Sequence, residues 1–272
     1  MPRDLSDVLH YFMPEAEPEQ RGDAGKARSS PAPAGELATP ALPAALPLVA
    51  VPIGDRDVVR AAFTWNLVVE IARLGGKASL VVAGESQRSP LFPASGIGAM
   101  GAEVIRVRAD SLEELQRAAL ETAASRATTA AEGGVVFVRI APTWLREARR
   151  GAELLRWALL FSSSDPRDLL ETYGMAKLIL AGNSRAHIGV TVHGARSLGE
   201  AEESFGRLSA SARRHLDHEL QSYGLIVDDL DVYRAIVAQR AIGLAHPQSP
   251  AARALRDIAR MLADHARHPT LA

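Results

Sequence analysis

Residues Leu48 to Gly84 read LVAVPIGDRDVVRAAFTWNLVVEIARLGGKASLVVAG. Leu48–Val51 is a short, wholly apolar run, the composition of a strand covered on both faces. Pro52 and Gly54 then punctuate the chain. Val58–Leu74 follows without a glycine or proline and fits a helix, and Gly75-Gly76 interrupts it before a second apolar run, Ala78–Val82. Strand, turn, helix and strand in this order make a βαβ unit, because two parallel strands need a crossover connection of helical length.

The same alternation continues to about His268. Further strands are expected at Val104–Val107, Val135–Ile140, Ala158–Ser162, Ile188–Val192 and Leu225–Val227. Further helices are expected at Ser111–Ala131, Pro166–Ala181, Gly199–Tyr223, Asp231–Gln239 and Pro250–His265. Residues 47–268 are therefore predicted to form a three-layer α/β domain, a mainly parallel sheet with helices on both faces.

Before this domain the composition changes. Leu5, Val8, Leu9 and Phe12 follow the i, i+3, i+4, i+7 spacing of an amphipathic helix, so residues 1–14 are expected to form one that Pro14 stops. Residues 15–46 are rich in Ala, Pro, Glu and Gly, too poor in large apolar groups to offset the entropy of ordering, and are expected to be a flexible linker. A tethered apolar stripe suits a groove on a protein partner, which makes Leu5, Val8, Leu9 and Phe12 candidate partner-binding residues. Its polar face carries Asp4, Asp7 and His10 with Arg3 the one full cation, so peripheral membrane contact is not favoured.

Composition narrows the classes further. Of 272 residues, 47% are hydrophobic and 23% charged, with a formal net charge of -1, so no specific nucleic-acid binding is expected. There is no cysteine, which excludes disulfides, thiolate–zinc sites and thiol nucleophiles. The first residues, MPRDLSDVLHYF, lack the basic end and apolar core of a secretory signal. Ala41–Ile53 is broken by Pro43, Pro47 and Pro52 and is too short to span a bilayer. A cytoplasmic location is expected.

The Leu48–Gly84 stretch resembles the opening of the MinD/ParA-type ATPases, in which a strand leads into a GKGGVGKTT loop and a helix containing Asn-Leu. Gly54, Asn66-Leu67, Ala72-Arg73-Leu74-Gly75 and Lys77 fall at the family's spacing without a gap. Leu155–Leu178 is similar to the family's turn and following helix, through Ser163-Ser164-Asp165-Pro166, Glu171-Thr172-Tyr173 and Lys177. The segment Ser222–Leu262 is similar to the ending of MinD and of FlhG-type flagellar-number regulators, through Asp228, Val232, Ala235, Gln239 and Ser249-Pro250-Ala251-Ala252. The resemblance implies a P-loop NTPase-like fold.

The resemblance also marks what is missing. In active members glycines let backbone N–H groups surround phosphates, a lysine neutralises charge, and a hydroxyl holds magnesium. Here Asp55 stands at the signature lysine, Arg56, Asp57 and Val59 crowd the loop, and Arg60 replaces the phosphate-binding lysine. Ala61 and Ala62 replace the threonines, Val82 and Gly84 stand at two family aspartates, and Arg139-Ile140-Ala141 stands where the family has Asp-x-Pro. Near His193-Gly194 the adenine-contacting Asn-Arg pair is not kept. The resemblance therefore implies that Gly54, Asp55, Arg60 and Ala61 belong to a degraded phosphate loop. No catalytic residue, cofactor or metal is expected.

Other constellations carry less. His215 and His218 lie three apart on the expected helix and are taken as a solvated face, and His265 and His268 as part of a fraying end. Ser162-Ser163-Ser164 lacks a nucleophile-elbow pattern and fits the turn into the next helix. Arg146, Arg149 and Arg150, diluted by Glu147 and Glu153, fit a solvated surface, and Pro250–His265 is expected to pack by Ala254, Leu255, Ile258, Met261 and Leu262. The expected function is a non-catalytic regulatory or localisation scaffold in a bacterial cell, acting through protein partners, with a homodimer and a place at a cell pole or division site among the arrangements the resemblance implies. Two alternatives stand beside it: an ATP-binding switch in which Arg60 does the lysine's work, and a partner-binding module acting through the N-terminal helix.

Overall fold

The computed structural model describes residues 45–84, 91 and 93–267. The expected N-terminal helix and nearly all of the expected linker lie outside the described residues. Eight strands form one sheet: β1 (Leu48–Pro52), β2 (Lys77–Ala83), β3 (Gly96–Ile97), β4 (Glu103–Val107), β5 (Gly134–Ile140), β6 (Trp157–Ser162), β7 (His187–Ala195) and β8 (Gln221–Val227). Their order across the sheet is β3-β4-β2-β5-β1-β6-β7-β8. All pairs are parallel except the two-residue edge strand β3 against β4.

Seven helices cover the sheet among the described residues: α1 (Val58–Arg73), α2 (Leu112–Ala127), α3 (Pro166–Gly182), α4 (Leu198–Leu216), α5 (Leu230–Val237), α6 (Ile242–Ala245) and α7 (Pro250–Arg267). The strand period of two sorts side chains onto two cores. Val49 and Val51 of β1 face α1 and α7, packing with Leu67, Ile71, Leu255, Ile258 and Leu262. Ala50 between them faces the other way, into the cluster holding Leu115 and Ala119 of α2 and Met175 and Ile179 of α3. The result is the three-layer α/β architecture that the alternating pattern predicts. Leu46 is buried in the second cluster, its N–H bonded to Ala123 O at 3.2 Å.

Three departures from the expected elements stand out. The helix expected over Gly199–Tyr223 ends at Leu216, where Asp217 adopts φ 50°. Aspartate tolerates the left-handed region, so the stop needs neither glycine nor proline. Tyr223 consequently sits in β8, a strand that begins four residues earlier than expected. His215 and His218 then lie on either side of the helix end, with His215 exposed and His218 half-buried, not on one solvated face. The third departure is the segment Pro142–Gly151, a 3₁₀ run with no expected counterpart. The C-terminal helix packs as a core element, burying Leu255, Ile258 and Leu262 while leaving Met261 exposed.

His265 is also not part of a fraying end. Its Nδ1 lies 2.8 Å from the Tyr223 hydroxyl, and its ring centroid lies 4.5 Å from that of His187. Trp157 Nε1 donates to the same hydroxyl at 3.2 Å, which fastens α7 to β6, β7 and β8. Burial and the neighbouring His265 and His218 hold His187 down to about 4, so it is neutral near pH 7.

Candidate functional site at the carboxyl ends of the central strands

β1 lies between β5 and β6, and the chain's connections diverge from it to both sides. In an open parallel sheet such a switch point opens a crevice beyond the carboxyl ends of the strands. Residues from the end of β1 (Ile53–Asp57), of β5 (Arg139), of β6 (Ser162–Asp165) and of β7 (His193) converge there. The expected loop residues are thus brought together, and a cleft of about 580 Å³ lies beside them, bounded by Gly54, Asp55, Asp57, Arg60 and Glu171.

The loop is a tight turn. Asp57 N–H bonds Gly54 O at 3.1 Å and Val58 N–H bonds Arg56 O at 3.0 Å. Asp57 is the N-cap of α1, and its Oδ1 accepts the Arg60 N–H at 3.0 Å. A side-chain oxygen at this position satisfies a helix-terminal donor, and its negative charge complements the helix dipole. Three backbone donors at the start of α1, those of Asp57, Val58 and Arg60, are therefore already bonded within the loop.

Arg60 is turned into the protein. Its Nη2 donates to Asp168 Oδ1 of α3, its Nε lies 3.3 Å from Asp57 Oδ2, and its Nε donates to His193 Nε2 at 3.4 Å. Asp168 Oδ2 also accepts the Ser163 N–H at 2.6 Å. Burial alone would raise the Asp168 carboxyl, yet the bond and charge of Arg60, with the Ser163 contacts, bring it below its ordinary value. His193 is pushed down by burial and by the Arg60 charge, against the opposing pull of Asp168 and Asp57, and stays neutral as the acceptor.

Arg139 supports the loop from beneath. Its Nη2 donates to Gly54 O at 3.0 Å and reaches Asp55 Oδ1 at 3.3 Å, while its Nε is 3.5 Å from Ile53 O. Burial lowers its affinity for a proton, and Asp55 and Asp57 work against that shift. This arrangement explains why a cation stands at the end of β5: it anchors the loop carbonyls and the Asp55 carboxylate. Ala61 and Ala62 are buried on α1 and offer no hydroxyl. Among the described residues no group of three or more His, Asp or Glu side chains is placed to hold a metal.

Sequence reasoning placed Gly54, Asp55, Arg60 and Ala61 at the loop but gave no partners for Arg60. Asp168 is the residue it missed, and His193, named there only at the adenine-contacting position, was given no contact with Arg60. Asp168 falls one turn into α3 and carries no local signal of a contact with α1, whose first turn lies 108 positions earlier. The serine run behaves as a turn into a helix: Asp165 caps α3, and Thr172 Oγ1 donates to the buried Ser162 Oγ at 3.1 Å. The candidate partner-binding residues Leu5, Val8, Leu9 and Phe12 lie outside the described residues.

This topology and crevice define a P-loop NTPase-like α/β fold, and comparison with known proteins specifies which kind. MinD cell division protein of Aquifex aeolicus superposes with a TM-score of 0.57 at 15% identity, covering 79% of this chain and 96% of that one. A chain of the MinC:MinD cell division protein complex of the same organism superposes with a TM-score of 0.56 at 16% identity, covering 79% of this chain and 95% of that one. The chain has the fold of the MinD/ParA ATPases. In sequence it is 31% identical over 101 residues to the antiactivator FleN of Pseudomonas aeruginosa, and that match spans little more than a third of either chain, 37% of this one and 36% of FleN. No protein-family model matches the chain.

Proposed function

We propose that this chain is a MinD/ParA/FlhG-like protein without magnesium-dependent ATP chemistry, acting as a scaffold that positions or regulates other proteins in a bacterial cell. The observation that carries this reading is the Asp57 cap, with its carboxylate on the Arg60 N–H and the loop donors bonded internally. A polyphosphate would meet the carboxylates of Asp55, Asp57 and Glu171 around the cleft. Arg60, the one candidate for the lysine's role, is spent on Asp57, Asp168 and His193. Phosphoryl transfer in P-loop enzymes depends on the lysine, the hydroxyl and the metal anchor together.

The scaffold role rests on the relatives. FleN is named an antiactivator, and an Aquifex MinD is seen in a complex with MinC. By analogy this chain acts by binding protein partners, in the cytoplasm and at a pole or division site through them, with homodimerisation either independent of nucleotide or absent. Among the described residues no helix is long and apolar enough to cross a membrane. The test is phosphate release from ATP with magnesium by the purified full chain. Release at background supports the reading; turnover that Arg60→Ala abolishes overturns it in favour of the switch.

A further inference from the structure

Away from the Gly54 loop, a second cavity of about 420 Å³ opens between α1, residues 93–99 and the corner joining α5 to α6. Small-ligand sites are typically about 300–1,000 Å³. Its walls are held by buried bonds. Asn66 Nδ2 donates to Ala62 O at 2.8 Å, while Asn66 Oδ1 accepts the Ile242 N–H at 2.7 Å. Arg73 Nη1 donates to Gly243 O at 3.2 Å, and buried Glu70 pairs with Arg73 at 2.7 Å and Arg256 at 3.5 Å. On the opposite wall Gly98 packs so closely on Trp65 that a Cβ there would lie 2.8 Å from the indole. A preformed cavity spares a ligand the cost of ordering its site.

The lining chemistry is one-sided. Trp65, Ile236 and Leu244 supply apolar surface, and Arg240, exposed at the rim, is the single charged residue among the described lining residues. Among the described lining residues there is no carboxylate to receive a cation. Apolar walls give a free inorganic ion little to gain, whereas an amphipathic anion buries its body and keeps its charge at the guanidinium. We propose that this cavity is a binding site for a small amphipathic anion, with an aromatic or aliphatic body against Trp65 and Ile236 and a carboxylate or similar group at Arg240. Among the described residues it shares none with the Gly54 cleft, and it goes beyond the proposed scaffold role.

The test is a titration of the full chain with the fluorescent anion 1-anilinonaphthalene-8-sulfonate, without nucleotide. Displacement is then measured with 1-naphthylacetate and with 1-naphthylmethylamine, which have like bodies and opposite charges. The expected result is one saturable site, displaced by the acid and not by the amine. Arg240→Ala, an exposed substitution, weakens binding about tenfold, the scale of one charge-assisted bond. Arg240→Lys retains most of it. Ala99→Trp, at an exposed lining position, fills the space and removes the site, with the thermal transition checking the fold. Equal displacement by acid and amine, or unchanged binding in both Arg240→Ala and a folded Ala99→Trp, overturns the proposal.

Discussion

Asp168→Asn removes one negative charge from the Arg60 network and changes almost no volume. The two side chains are 15% and 11% exposed, so the pair lies in a largely water-excluded site. Breaking a buried pair by removing one partner typically costs about 3–5 kcal/mol. Arg60 keeps Asp57 at 3.3 Å and His193 at 3.4 Å, which lowers the expected loss to about 2–3 kcal/mol. At about 2–4 °C per kcal/mol for a domain of this size, the thermal midpoint falls by roughly 4–12 °C. Urea unfolding, with its slope unchanged, measures the same loss at room temperature. Because the folded-state pKa of Asp168 is depressed, its stabilisation is present above the ordinary carboxylate value near 3.8 and lost as pH falls below it. The difference between wild type and Asp168→Asn should therefore be full at pH 7 and shrink in acid. A double-mutant cycle with Arg60→Met should recover part of the loss, since that variant leaves no uncompensated cation. Wild-type stability in Asp168→Asn, or a difference independent of pH, would refute the structural role given to Arg60.

Two further outcomes follow from other parts of the fold. Folded-state His187 is held at about 4 against an ordinary 6.5, so its contribution is complete above pH 6.5 and is lost as pH falls toward 4. That window is worth roughly 3 kcal/mol at most, and His187→Gln should flatten the urea midpoint across it; an unchanged pH profile would count against the buried, neutral histidine. Asn66→Ala strands the buried Ile242 N–H, at a cost of about 1–3 kcal/mol, so chemical denaturation should show this loss and hydrogen exchange should show faster opening at Ile242.

The layers are legible in the sequence because the central strands are mostly runs of apolar residues and glycines or prolines punctuate much of the chain between the elements. Leu48–Val51 and Val135–Ile140 can be little else. The end of α4 is hidden, because Asp217 stops the helix by entering the left-handed region and no Gly or Pro marks the place. β3 is hidden because two residues carry no period. At the site, the substitutions at Asp55, Asp57, Arg60 and Ala61 are visible one by one. Their cooperation is not, since the Arg60–Asp168 and Arg60–His193 contacts join residues 108 and 133 positions apart. The Trp157–Tyr223–His265 fastening is hidden for the same reason, and its histidine carries the spacing of an ordinary surface helix.

On the proposed reading, Asp57 and the loop's internal bonds stand in for a phosphate at the start of α1. Isothermal titration of the full chain with ATP and magnesium should then show no heat of binding up to millimolar nucleotide. Saturable binding at micromolar affinity, weakened by Arg60→Ala, would contradict it.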